Sequence, residues 1–163
     1  ENRGWDYAKF LLANERSGIA RIGLSKERVA RIRRRAKDNG VWDDPLFRSE
    51  VIKLEIELKA LEVAQMQILA RAGESQGRPD PASSILKLRG SQLQQRASEL
   101  LMELEGVSAL RAPGDVADPY LAAEEQLAAA AALNNYLNFR KVSIYGGSNE
   151  IQKNIIAKTI LNL

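Results

Sequence analysis

The clearest chemical potential in this chain lies near its end, where residues 145–150 read YGGSNE. Two adjacent glycines let the backbone bend and let another group approach closely. Ser148 and Asn149 can cap the helix that follows, and Gln152, three residues after Asn149, completes a capping-box pattern. A glycine-rich turn leading into a helix N-terminus exposes unpaired N–H groups, which suit a phosphate or another anionic group. On these grounds alone, an ordinary turn and cap is the favoured interpretation.

A second candidate is a carboxylate near the start of the chain. Glu15 lies one helical turn after Leu11 and one turn before Ile19, and Arg16 follows it directly. The pattern therefore predicts a carboxylate at the edge of an apolar helix stripe. A surface Glu beside a surface Arg is the simpler interpretation of the same residues.

The composition excludes several kinds of active site. The chain has 163 residues without Cys or His, which excludes a disulfide framework, a thiol nucleophile, a histidine base and a Cys/His zinc site. Proton transfer must then use Glu, Asp, Lys, Tyr, the backbone or a cofactor. The net charge is only +3, so nothing in the charge balance requires nucleic acid. The sequence shows no signal peptide and no apolar run long enough to span a membrane.

Helices are predicted to position these residues. Asp-Pro pairs at 44–45, 80–81 and 118–119 mark helix starts, because Asp caps a helix and Pro fits its first position. A first helix is predicted from about Trp5 to about Asp38. Gly18 and Gly23 lie inside it, as sites of close approach or as a break.

The later helices follow from apolar spacing and turn residues. A second helix is predicted over 45–72, with an apolar stripe at Phe47, Val51, Leu54, Leu58, Leu61 and Ile68. A third is predicted over 82–104, with Leu86, Leu93, Ala97, Leu100 and Leu104 facing inward. Loops are predicted at 73–82 and 106–117, then a fourth helix over 119–140. A short fifth helix after the glycine turn carries apolar stripes at Ile151, Ile155, Ile156 and Ile160. One all-α domain results, an up-down four-helix bundle with a short extra C-terminal helix.

The run from Ser143 to Lys158 resembles the C-terminal signature of the acyl-CoA dehydrogenases, flavoenzymes that oxidise acyl-CoA thioesters to enoyl-CoA. The resemblance extends over the whole chain, is strong again at 5–20, and matches the order of helices in that family's C-terminal helical domain. It implies a cytoplasmic homo- or hetero-oligomer, a dimer or tetramer, that binds FAD and passes electrons to an electron-transferring flavoprotein. It also implies that this chain, which starts at Glu1, continues upstream into the family's N-terminal helical and β domains.

The resemblance carries binding roles onto particular residues, and no metal is among its implications. Contacts to the acyl-CoA substrate fall on Asn14, Arg16 and Gly147. Contacts to FAD fall on Ser148, Asn149 and Glu150.

The resemblance also implies the catalytic base. Most members use a Glu directly before the Gly-Thr/Ser of the C-terminal turn, and here that position is Gly146, which cannot act as a base. A branch that includes isovaleryl-CoA dehydrogenase places the base on the first helix of this domain in a Glu-Arg pair, which Glu15-Arg16 matches. Glu15 would then remove the α proton of the thioester. The main-chain N–H of Gly146 could still bind the thioester oxygen.

Two loops depart from the family pattern. Many relatives carry Arg-x-x-Phe-Gly after the first helix, where residues 35–40 read RAKDNG, without the Phe and with the Arg out of step. Relatives also carry Gln-x-x-Gly-Gly after the third helix, where residues 103–107 read ELEGV. Both motifs would contribute to the FAD site across a subunit interface. The departures are compatible with a heteromer in which a partner chain supplies part of that site.

Two alternatives to a catalytic subunit remain open. One is a non-catalytic partner subunit of the same fold. The other is a helical scaffold or nucleic-acid-binding module, suggested by the basic run at 31–37. That run is better explained as a solvated face near a helix C-terminus, where the helix dipole favours cations, or as a contact to the nucleotide part of FAD or CoA. Neither nucleic acid nor a membrane is an expected partner.

Overall fold

The computed structural model describes residues 2–72, 80–110 and 123–163, without the side chains of residues 9, 12–17, 19 and 72. All regular structure in this part is helical, which confirms the predicted all-α class. The six α-helices are α1 (Gly4–Ile19), α2 (Ile22–Asp38), α3 (Pro45–Ala72), α4 (Ser83–Glu105), α5 (Ala123–Phe139) and α6 (Asn149–Thr159). Short 3-10 helices span Val41–Asp43, Gly106–Leu110 and Arg140–Ser143.

The single first helix predicted from Trp5 to Asp38 is wrong, because the chain breaks between α1 and α2. Arg21 adopts the left-handed conformation, with φ of +44°, and Ala20 is buried. The close approach occurs at Gly90 of α4, where an added Cβ would lie 2.6 Å from the Cα of Ala20. Neither Gly18 nor Gly23 has a neighbour within 4 Å of its Cβ position, so these glycines accompany the break and do not provide the contact.

Helix α3 spans the residues that the sequence predicts. The carboxylate of Asp44 accepts a hydrogen bond of 2.9 Å from the backbone N–H of Leu46, and Pro45 occupies the first helical position. All six residues of the predicted apolar stripe are buried: Phe47, Val51, Leu54, Leu58, Leu61 and Ile68. The spacing of apolar residues was therefore sufficient to place this helix.

Helix α4 is the centre of the bundle, since it packs against each of the other five helices. It begins at Ser83, one residue later than predicted, and Asp80 accepts a 2.8 Å bond from the N–H of Ala82 just before it. The five predicted inward residues are buried, but so is a second side of the helix that carries Lys87, Ser91 and Ser98. The prediction of a helix with one buried face was therefore incomplete.

Ion pairs between the helices show an up-down arrangement of α2, α3 and α4. Arg33 and Lys26 of α2 pair with Glu55 and Glu62 of α3 in that order, so α2 and α3 run antiparallel. Two pairs between α3 and α4 show the same opposite order: Glu50 with Arg96, and Glu57 with Arg89. Pairs as exposed as these contribute under about 1 kcal/mol each, so they indicate register more than stability.

The segment before the glycine turn is tied to α4. Helix α5 ends at Phe139, one residue from the predicted end, while the predicted start at Pro119 lies outside the described residues. Arg140 bonds Glu99 at 2.8 Å and the hydroxyl of Ser98 at 3.0 Å, and Gln95 donates to the carbonyl of Arg140 at 3.1 Å. In the predicted loop at 73–82, residues 73–79 are not described, and residues 80–82 form a turn before α4. In the other predicted loop, residues 106–110 form a 3-10 helix and 111–117 are not described.

Candidate functional site

The glycine turn has a backbone that only glycine adopts easily. Gly146 and Gly147 have φ of +68° and +86°, both in the left-handed region. Ser148 is the N-cap of α6, and its hydroxyl accepts from the N–H of Ile151 at 3.5 Å. The predicted cap at Ser148 is confirmed. The predicted cap at Asn149 is wrong, because Asn149 is already the first helical residue.

Gln152 closes the turn from inside. Its side chain is fully buried, and its amide N–H donates to the carbonyl of Gly147 at 3.2 Å. The predicted capping box with Asn149 is therefore wrong. A Cβ on Gly147 would lie 2.7 Å from Nε2 of Gln152, so the turn tolerates no side chain there without a shift. Oε1 of Gln152 is buried and accepts no hydrogen bond from the described residues.

Asn149 is held by α4. Lys87 is fully buried, and its ammonium donates to Oδ1 of Asn149 at 2.8 Å and to the carbonyl of Ser143 at 3.3 Å. The hydroxyl of Ser91 lies 3.1 Å from the same Asn149 oxygen and 2.8 Å from the carbonyl of Leu88, and can give its one proton to either. Burial lowers the pKa of Lys87, and the negative charge of Glu150 partly opposes this shift.

Glu150 is exposed in the first turn of α6. The pKa of its carboxyl is lowered by a hydrogen bond from its own backbone N–H and another from Ser148, and then by the charges of Lys153 and Lys87. Such a carboxyl stays ionised at neutral pH and is a weak base. Glu150 is therefore suited to bind a ligand's donor group and not to remove a carbon-bound proton.

Asn14, Glu15 and Arg16 lie in helix α1, which packs against α4. Their side chains lie outside the described part of the structure. The roles of Glu15 as base and of Asn14 and Arg16 as substrate contacts stay predictions.

The two segments that depart from the family pattern contact each other through residues near the ends of α2 and α4. Nε of Arg35 lies 2.7 Å from Oε1 of Glu105, and the Arg35 Nη2 atom lies 2.7 Å from the second carboxylate oxygen. The Glu105 side chain is only 6% exposed. Nearby, Arg33 bonds Glu55 and stacks over Trp42 at 5.1 Å from the ring centre. Part of the basic run is thus engaged within the chain, which weakens the nucleic-acid interpretation.

Apolar side chains surround the turn without being covered. Ile144 is 68% exposed, Tyr145 is partly exposed, and Ile151 is 50% exposed. Ile160, directly after α6, is also exposed, while Ile155 and Ile156 on α6 are half-buried. The predicted apolar stripes of this helix therefore remain largely uncovered within the described residues.

The described residues contain no group of acidic side chains that could hold a metal ion. None of the helices in that part has both the length and the apolar character needed to cross a membrane.

Sequence reasoning missed the residues that hold the turn from α4. Lys87 sits in the run Leu86-Lys87-Leu88-Arg89, which looks like an ordinary solvated helix. A usable signal was present in the polar and small residues at helical spacing on α4: Lys87, Ser91, Gln94 and Ser98. Such a row, on the side away from the leucine stripe, indicates a helix with neighbours on both sides.

Comparison with known families agrees with this fold and turn. The profile described as "Acyl-CoA dehydrogenase, C-terminal domain" matches residues 2–161. The chain belongs to the acyl-CoA dehydrogenase family. The resemblance predicted from the turn is thereby confirmed.

Curated relatives support the same assignment. The chain is 32% identical over 164 residues to acyl-CoA dehydrogenase IpdE1 of Mycolicibacterium smegmatis. It is 28% identical over 163 residues to the protein of the same name from Mycobacterium tuberculosis. Each alignment covers 98% of this chain, but only 37% and 38% of the two relatives. The chain thus spans a little over a third of their length.

Solved structures show the same fold at low identity. A structure titled "Tcur3481-Tcur3483 steroid ACAD" superposes with a TM-score of 0.74 at 20% identity, and a variant of that protein gives 0.75 at 19%. Both superpositions cover 98% of this chain and 40% of the other chain. At these identities the likeness establishes the fold alone.

Proposed function

We propose that this chain is the C-terminal helical domain of a longer FAD-dependent acyl-CoA dehydrogenase. The longer protein would convert an acyl-CoA thioester to the α,β-unsaturated product in the cytoplasm, and this domain would supply part of the FAD and substrate site and of a subunit interface. One observation carries the proposal. The chain belongs to this family, and its turn at 146–148 has left-handed glycines. Buried polar side chains of α4 hold this turn in place.

The turn fits a phosphate-bearing cofactor. Gly147 has no side chain to block approach, and Ser148 and the start of α6 present hydroxyl and N–H donors, which are the groups that phosphate oxygens accept from. We assign FAD contacts to Ser148, Asn149 and Glu150. When bound, FAD supplies acceptance of the hydride that leaves the β carbon.

The base in this proposal is Glu15. Gly146 has no side chain, so the carboxylate must be supplied by another element. Helix α1 carries the Glu15-Arg16 pair and packs on the same central helix, α4, as the turn does. Asn14, Arg16 and Gly147 would orient the thioester, and Glu15 would take its α proton.

Absorbance of the oxidised flavin tests the activity. The full-length protein, with FAD bound, is mixed anaerobically with straight-chain, branched and steroid-derived acyl-CoA thioesters. The steroid-derived thioesters are included because two solved structures of the same fold are titled steroid ACADs. We expect bleaching with at least one thioester for the wild type and for Glu27→Gln, which changes an exposed carboxylate on α2. Glu15→Gln should bind FAD and not bleach.

The outcomes separate the reaction from the identity of the base. Bleaching in both wild type and Glu15→Gln would keep the dehydrogenase and discard Glu15. A wild type that holds FAD and responds to none of the thioesters would contradict the proposed activity.

A second candidate is a non-catalytic partner subunit of a heteromeric acyl-CoA dehydrogenase. The ion pair between Arg35 and Glu105 favours it, because both departing loops are engaged with each other within the chain. Affinity purification of the full-length protein from its own host tests this. A second dehydrogenase-like chain, with turnover only when both chains are present, would support it. Turnover by a homo-oligomer that reduces an electron-transferring flavoprotein would reject it.

A further inference from the structure

Lys87 is a buried cation that the proposed reaction does not use. We infer that Lys87 is a positioning residue for the glycine turn: its ammonium fixes Asn149 and the carbonyl of Ser143, and so sets the conformation of the chain between them. The functional consequence rests on the proposed function, because it assumes that this turn contacts FAD and substrate.

The Lys87 ammonium contacts a residue at each end of the turn. Ser143 ends the 3-10 helix before the turn, and Asn149 begins α6 after it. Lys87 donates to the first at 3.3 Å and to the second at 2.8 Å. A lysine ammonium has three donors, so it can hold both acceptors at once. The distance between the two ends of the turn is therefore controlled from α4.

Stability alone does not explain a buried lysine at this position. The two oxygens that Lys87 bonds are neutral, the side chain is 0% exposed, and desolvation lowers its pKa. Because the folded-state pKa is lowered, the folded state carries a cost at neutral pH that is relieved as pH rises toward the ordinary lysine value. A neutral apolar residue would avoid this cost. The lysine is explained by what it does for the turn.

Ser91 reinforces the same point from one helical turn further along α4. Its hydroxyl lies 3.1 Å from Oδ1 of Asn149, so two α4 side chains converge on one oxygen of the turn. The Asn149 side chain is thereby engaged inward. Its contribution to a ligand must then come from its backbone N–H or its amide nitrogen.

Four variants of the full-length protein test the inference. Lys87→Met keeps the side-chain length and removes the donors, while Lys87→Gln keeps a neutral donor. Asn149→Ala removes the acceptor, and Lys87→Met/Asn149→Ala completes a double-mutant cycle. Val51→Ala, in the buried core of α3, is the control for lost stability without a change at the turn.

Hydrogen exchange of residues 143–152 reads the turn without any ligand. In Lys87→Met we expect these amides to exchange about tenfold faster or more, because their protection comes from local contacts. Lys87→Gln should recover part of the protection. Val51→Ala should leave exchange at 143–152 close to wild type at a temperature where both variants are folded.

FAD affinity reads the functional consequence. We expect the Kd for FAD to rise about tenfold in Lys87→Met and in Asn149→Ala, the order expected for one lost bond to a charged donor. The double variant should be no worse than the worse single variant. The inference would be overturned if the amides of residues 143–152 exchanged in Lys87→Met at the wild-type rate. It would also be overturned if the effects of the two single variants on FAD affinity added fully in the double variant. If the wild type binds no FAD, the proposed function fails, and hydrogen exchange alone then decides the role of Lys87.

Discussion

Two glycine sites in this domain serve opposite purposes. At Gly90, α4 meets the break between α1 and α2, and the missing Cβ lets one backbone lie against another in an apolar contact. At Gly147, the missing Cβ permits a left-handed backbone beside a buried amide, in a turn held by polar contacts. The first site belongs to helix packing, and the second to the turn for which we propose contacts with FAD and substrate.

This difference separates the two kinds of damage that a mutation can do here. A change at Gly90 displaces two helices and should reduce stability throughout the bundle. A change at Gly147 alters a short turn and should reduce ligand binding more than stability. Two predictions test the contrast between Gly90 and Gly147 directly. Two further predictions, with smaller effects, test contacts elsewhere in the bundle.

The largest loss of stability is expected for Gly90→Ala. Its Cβ would lie 2.6 Å from the backbone of Ala20, and overpacking of this kind costs about 1–3 kcal/mol. Gly23→Ala is the matched control, since it is an exposed glycine in α2 with nothing within 4 Å. The control should gain about 0.5–1 kcal/mol. Thermal unfolding of the full-length protein measures both, and equal Tm values for the two variants would contradict the packing role of Gly90.

A smaller loss of stability, with a larger loss of binding, is expected for Gly147→Ala. A non-glycine residue in the left-handed region costs about 1–2 kcal/mol, and the new methyl group meets Nε2 of Gln152. The Kd for FAD should rise while most of the bundle stays folded. Circular dichroism for helix content and a FAD titration check the two effects separately. A variant that binds FAD as wild type does would remove Gly147 from the site.

The tie between α4 and the segment before the turn should contribute about 1 kcal/mol. Arg140→Met removes the bonds to Glu99 and Ser98. Arg89→Met removes an exposed pair with Glu57 and an exposed hydrogen bond to Gln92, and should change stability by less than about 0.5 kcal/mol. The difference in Tm between the two variants measures the tie. If they melt together, Arg140 is no more than a surface residue.

The smallest effect is an acid dependence on the far side of the bundle. Hydrogen bonds from Lys26 and then Lys59 lower the pKa of Glu62 to about 2. A lowered folded-state pKa gives stability that is present above the ordinary Glu pKa and is lost as pH falls from about 4.5 toward 2. Glu62→Gln should therefore melt below wild type at neutral pH, and the gap should close over that window. A gap that does not depend on pH would contradict the assignment.

Features that depend on residues close together in the chain were predicted correctly from the sequence. Helix α3 has one regular apolar stripe and an Asp-Pro start, so its bounds and its buried residues followed from spacing alone. Ser148 as a cap also followed, because capping depends on a few neighbouring residues.

Contacts between distant residues could not be predicted in this way. The break at Ala20 depends on the close approach of Gly90, which lies far along the chain. Lys87 is buried where α4 meets the start of α6 and the segment before it, and Asn149 turns inward to accept from its ammonium. The row Lys87, Ser91, Gln94 and Ser98 indicates a second packed side of α4, but no local pattern shows which distant segment covers it. These long-range contacts decide the geometry of the candidate site.

The most direct test of the account compares the two glycines in one experiment. The Tm is measured for the full-length Gly90→Ala and Gly147→Ala proteins. The Kd for FAD is measured for both at a temperature where both are folded. We predict that Gly90→Ala has the lower Tm and binds FAD nearly as wild type does. Gly147→Ala should have the weaker FAD binding and the smaller loss of Tm. The reverse order, with FAD binding lost at Gly90 and kept at Gly147, would contradict the assignment of the turn to the FAD site.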